Sequence, residues 1–179
     1  MSSQSPDPPW GERTTKSVAL VRTMQIICGA LLMGVICFAV IALFMRLGRG
    51  LAGPSAAKVV VAYLAAGMAT VSVAARLFIP PQIVRSGIQE LLKTRRVDDV
   101  TRFDLYPIYQ TQMIVACALL EGAAIFNLIG FLVEGQIWTL AIVTALLAVM
   151  ASAFPTLERV DSWADEQLRQ LQMDPPRVN

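Results

Sequence analysis

The chain has 179 residues, 55% of them hydrophobic and 16% charged, and a mean hydropathy of +0.58. This is more apolar than a soluble domain, so a bilayer is the expected solvent. A net charge of +2 without basic clusters interleaved with aromatics excludes a nucleic-acid surface, and the lack of any histidine removes the usual imidazole metal ligand and neutral-pH base, so neither a cofactor nor an enzyme is expected.

Residues 1–21 are rich in Ser, Pro and charge and read as a disordered tail. The first apolar span, Met24–Met45, is longer than a signal-peptide core and lacks a small-x-small site after it, so it reads as a retained anchor. Gly48-Arg49-Gly50-Leu51-Ala52-Gly53 matches a dinucleotide-binding pattern but lies between membrane spans, without the strand and helix that pattern needs. It is expected to be a turn. The second span, Val59–Ala75, extends to Ile79 if Arg76 snorkels to the head groups. It should end at Phe78-Ile79-Pro80, followed by a short amphipathic helix through Ile83, Val84, Ile88, Leu91 and Leu92.

A polar linker, 94–104, leads to the third span, Leu105–Val133, which alone contains an acid in its interior. A tight turn, Glu134-Gly135-Gln136, joins it to the fourth, Gln136–Leu157, which should break at Ala153-Phe154-Pro155. Leu157, Val160, Ala164, Leu168 and Leu171 then recur at three- and four-residue spacing with acids elsewhere around the helix, which predicts an amphipathic surface helix. Residues 172–179 read as a flexible end. Cys28, Cys37 and Cys117 all fall inside spans, where small packing residues are expected rather than a structural disulfide.

The two halves resemble one another. At a constant offset Thr23 pairs with Thr111, Ala30-Leu31-Leu32 with Ala118-Leu119-Leu120, Gly34 with Gly122, and Phe38 with Phe126. Tyr63 and Trp138 occupy matching places near the outer ends of the second and fourth spans, as interfacial aromatics do. The expected fold is therefore an all-α integral membrane protein of four transmembrane helices. They form two tandem, parallel units, 22–93 and 105–171, each a hairpin repeat followed within those bounds by its amphipathic surface helix. Small residues at Ala62, Ala66, Thr70 and Ala74, at Ala141, Ala145, Ala148 and Ser152, and at Ala118 and Gly122 are the expected close-packing faces. Lys and Arg concentrate in the tail, the central loop and the C-terminal segment, so both termini are expected on the cytoplasmic side of the inner membrane.

Within this repeat Met33 is matched by Glu121. An ionisable group at mid-membrane costs about 2.5–3.5 kcal/mol on insertion scales, which makes Glu121 the first candidate for function, as an ion-binding carboxyl. Arg76, near the inner end of the second span, is its nearest basic candidate, though a direct pair would be strained. Asn127 lies six residues on, about 120° around the helix, and should face a different neighbour.

The run Ala118-Leu119-Leu120-Glu121-Gly122-Ala123, with Ile125-Phe126 after it, is a small-residue stretch leading into an acid, a glycine and an aliphatic–aromatic pair. Residues 110–129 thereby resemble the carboxylate-bearing helix of rotary ATP synthase c subunits, the proteolipids. The resemblance implies that Glu121 is an ion-carrying carboxylate, protonated when it faces lipid.

Two functional readings follow. The first is a non-enzymatic assembly or accessory component that contacts lipid and either a second copy or another membrane protein. The alternative is a proton- or cation-handling subunit built on Glu121. No facing pair of acids and no nucleophile paired with a base is visible for an enzyme.

Overall fold

A computed structural model describes residues 10–48, 60–94 and 99–173, the side chains of 10–17 excepted. They form α1 (Trp10–Gly48), α2 (Val60–Thr94), α3 (Arg102–Glu134), α4 (Ile137–Ser152) and α5 (Leu157–Met173), with no strand among them. In lipid the backbone satisfies its own polar groups only in helices or closed barrels, and the regular elements among the described residues are all helices. By length and composition α1, α2 and α3 are each able to cross a membrane. A fourth crossing is made only if α4 and α5 count as one span bent by 71°.

α3 is the central helix and packs against all four others. Its start is fixed at Thr101, whose backbone N–H donates to Asp104 Oδ2 at 3.0 Å while its hydroxyl donates to the same oxygen at 2.7 Å. Its end is fixed by Gly135, which adopts φ 72° and donates its N–H to the Phe131 carbonyl at 2.8 Å. Only glycine suits this left-handed cap, and a Cβ there would also collide with the Arg46 guanidinium.

α1 lies parallel to α3. Cys28 meets Cys117, Gly34 meets Glu121 and Arg46 meets Gly135, a register that stays near one offset along the whole pair. α2 lies antiparallel to α3. Gly130 lies against Ala62 and Ala65 at the turn end, and at the other end Gly87 lets the Ile108 side chain come close, where a Cβ would stand 3.0 Å from it. Two apolar clusters result. One, at the end carrying α5, includes Met24, Leu105, Tyr109, Met113 and Val160. The other, toward the turn, includes Val35, Leu120, Leu128, Phe131 and Leu146.

α5 folds its apolar face onto the first cluster, burying Val160, Ala164 and Leu171. Tyr109 and Trp163 pack with ring centroids 5.1 Å apart. Tyr106 donates its hydroxyl to Asp161 at 2.6 Å, and Arg102 pairs with Asp165 at 2.5 Å. The break before α5 is held from two sides: Gln25 Nε2 donates to the Pro155 carbonyl at 3.0 Å, and Arg159 Nη1 donates to the Ser152 carbonyl at 2.9 Å.

The structure departs from the sequence expectations in several places. α1 begins at Trp10, so the second half of the expected 1–21 tail is helical. Residues 49–53 of the glycine pattern lie outside the described residues. α2 does not end at Pro80 but continues through Pro80 and Pro81 to Thr94, so the expected short helix over Ile83–Leu92 is its last part. α4 ends at Ser152 and at 1.5 Å per residue reaches only about 24 Å, short of a hydrocarbon core of about 30 Å.

The small-residue faces also differ. On α2 the buried set is Ala62, Ala65, Ala69 and Ser72, whereas Thr70 is exposed. On α4 the packed set is Thr139, Val143, Leu146 and Met150, and Ala141, Ala145, Ala148 and Ser152 all face outward. Ala118 and Gly122 are likewise exposed. Tyr63 and Trp138, expected at matching outer positions, touch each other with centroids 5.9 Å apart.

Candidate functional site

The three sequence candidates lie in three different places. Glu121 is half-buried between α3 and α1, and its Oε1 lies 3.5 Å from where a Cβ on Gly34 would stand. A Cβ there would make ordinary van der Waals contact with the carboxyl. No hydrogen bond or ion pair to Glu121 forms among the described residues. Met33, the residue the sequence comparison aligns with it, is 58% exposed.

Asn127 points to α2, as its angular separation from Glu121 requires. It is fully buried, and its Nδ2 donates to the Ala65 carbonyl at 3.0 Å and to the Ala123 carbonyl at 2.8 Å. The first bond ties α3 to α2, and the second binds α3 to its own preceding turn. Its Oδ1 is buried without a partner.

Arg76 does not reach Glu121. It lines a cavity of about 870 Å³ between α2, α3 and α5, where its Nη1 and the Oε1 of Gln112 are both buried without hydrogen-bond partners. Thus the structure brings Glu121, Asn127 and Arg76 to three separate interfaces.

Three polar features escaped sequence reasoning. Glu134, assigned there only to a turn, is 7% exposed and accepts hydrogen bonds from the backbone N–H groups of Val61 at 2.7 Å and Ala62 at 2.9 Å. A carboxylate at a helix start satisfies donors that have no intrahelical acceptor and complements the positive end of the helix dipole. Its position next to a glycine cap was legible, but the long-range pairing with α2 was not. Gln112 carried no signal beyond being an amide in a span.

Cys28 and Cys117 were expected to be packing residues, and both are buried free thiols with their Sγ atoms 3.5 Å apart. The repeat offset places them nearly opposite one another once α1 and α3 lie side by side. No protein-family model, curated protein or solved structure matches this chain.

Proposed function

We propose that the chain is a non-enzymatic integral membrane component that holds a partner within the bilayer, either a second copy or another membrane protein. The observation that carries this reading is how the buried polar side chains are used. Glu134 caps α2, Asn127 binds the α2 backbone, and Gln25 binds the backbone before α5. Each ties one helix to another, which is the work of a scaffold. Interhelical polar bonds in membranes are worth about 0.6 kcal/mol on average, so several are needed to fix one arrangement.

The outward row Ala141, Ala145 and Ala148 on α4 is the face on which a partner helix would approach closely. Cross-linking in native membranes, followed by mass measurement in mild detergent, tests the reading. A complex is expected, and Ala145→Trp should reduce it while leaving helicity unchanged. A chain that stays solitary in both measurements overturns it.

The second reading, proton or cation handling at Glu121, is favoured by one observation: the carboxyl lies beside Gly34 with no hydrogen bond among the described residues. A hydrophobic carbodiimide should then label Glu121 in a manner sensitive to pH or to one cation, and Glu121→Gln should abolish ion movement in reconstituted vesicles. Unchanged movement in that variant removes this reading.

A further inference from the structure

We propose that the cavity between α2, α3 and α5 binds the phosphate head group of an anionic phospholipid. Its wall combines two kinds of surface. Leu77, Pro80, Val84 and Trp163 supply an apolar part, while Arg76, Arg85, Gln112 and Gln167 are among its polar members. No Asp or Glu is part of the lining among the described residues. Such a wall matches an amphiphile, with a head group at the cations and the first carbons of its chains on the prolines and Val84.

Two observations point to a ligand rather than to packing. The Arg76 Nη1 and the Gln112 Oε1 are both buried and both unpartnered, on facing helices of the same cavity. A buried guanidinium nitrogen without an acceptor is costly, so an anionic oxygen in the cavity would remove a penalty already present. The Gln112 oxygen needs a donor instead, and a glycerol hydroxyl in the same head group provides one. The volume of about 870 Å³ exceeds what a single phosphate fills and is on the scale of sites for whole small ligands.

The surroundings favour a lipid source. Arg85 is exposed at the rim and forms no ion pair among the described residues. Arg159 and Arg169 lie on the same end of the bundle, on an element that forms the cavity, while Lys93 and Arg102 at that end are paired with Glu90 and Asp165. Basic pockets between transmembrane helices on the cation-rich side are the places where anionic head groups bind. The carboxylates next in sequence to the lining are engaged outside it: Glu90 pairs with Lys93 at 2.8 Å, and Glu166, which is exposed, accepts from Gln170 Nε2 at 3.0 Å. They leave the Arg76–Gln112 side unopposed.

The full chain, purified in detergent, is titrated with phosphatidylglycerol, with phosphatidylcholine and separately with inorganic phosphate, and bound lipid is counted by native mass spectrometry. One phosphatidylglycerol per chain is expected, retained at least tenfold more strongly than phosphatidylcholine. Arg76→Gln should weaken it by roughly tenfold or more, as for a lost charge-assisted contact, with helical content unchanged. Arg85→Gln should weaken it less.

If Arg76→Gln fails to fold, Gln112→Leu and Arg85→Gln give the reading. Equal retention of the two lipids overturns the proposal, as does undiminished retention in folded variants. Competition by inorganic phosphate with the affinity of the lipid overturns the lipid assignment.

Discussion

At the residue scale, the two glutamates of α3 behave oppositely. Glu121 has the more suggestive position in the sequence, yet it makes no hydrogen bond among the described residues, whereas Glu134 accepts two from α2. Removing Glu134 therefore exposes the start of α2. Glu134→Ala should destabilise the protein by about 1.5–3 kcal/mol, the range for hydrogen bonds to a charged group, measured by reversible unfolding in mixed micelles. Glu134→Gln keeps the shape and one acceptor but loses the charge, so an intermediate loss is expected. A Gln variant as stable as the wild type would show that the helix dipole contributes nothing here.

Glu121→Met, by contrast, puts the side chain of position 33 at position 121 and removes a carboxyl from the middle of an apolar helix. Its stability in the same assay should equal or exceed that of the wild type. A clear loss would mean that the carboxyl holds α1 and α3 together. Sequence marked Glu121 because an acid at mid-span is rare whatever its partners, and passed over Glu134 because capping between helices distant in sequence leaves no local pattern.

At the element scale, composition and periodicity made the helices legible, and the face each one buries was less so. The amphipathic pattern of α5 was readable because polar and apolar residues differ strongly around it, and Val160, Ala164 and Leu171 are indeed its buried residues. The four-residue alanine spacing of α2 misled for a geometric reason. At 3.6 residues per turn a four-residue step overshoots a full turn by about 40°, so such a row winds away from any fixed neighbour. The buried row Ala62, Ala65, Ala69 and Ser72 alternates steps of three and four and stays on α3.

Pro80 misled because a proline is a local signal for helix ends, while Gly87 and Ile88 pack the later turns of α2 against their neighbours and carry the helix onward. For α5 the consequence is testable. Leu168 packs against the first cluster, so Leu168→Asp should loosen α5 and increase cleavage by an added protease in inside-out vesicles. Tyr106→Phe removes only the bond to Asp161 and should cost about 0.5–1.5 kcal/mol with little change in cleavage. Unchanged cleavage in Leu168→Asp would contradict the docking.

At the scale of the whole molecule, α1 and α3 keep one register along their length, but the helices around them do not pack alike. α1 and α3 run parallel, with Cys28 and Cys117 in contact. α4 packs on α3 as its hairpin partner, but α2 packs on α3 rather than on α1, so α3 organises both halves. The sequence similarity between the spans was visible. Which helix would take the centre was not, because it depends on Gly130 and Asn127 of α3 meeting α2, and on Gly87 of α2 meeting Ile108, across the bundle.

This asymmetry gives an expectation for the separated halves. In lipid no hydrophobic effect drives helices together, so a helix pair without its own packing interface has little reason to stay associated. The fragment 99–179 keeps α3, α4 and α5 with their mutual contacts, including Tyr106–Asp161 and Arg102–Asp165. It should accumulate in membranes when expressed alone. The fragment 1–94 retains α1 and α2 without α3, loses the Glu134 cap on α2, and should be degraded quickly. Coexpression should lengthen the half-life of 1–94 severalfold and allow the two fragments to be purified together. A 1–94 fragment that is equally long-lived alone would mean that α1 and α2 hold each other, and α3 would lose its place as the organising helix.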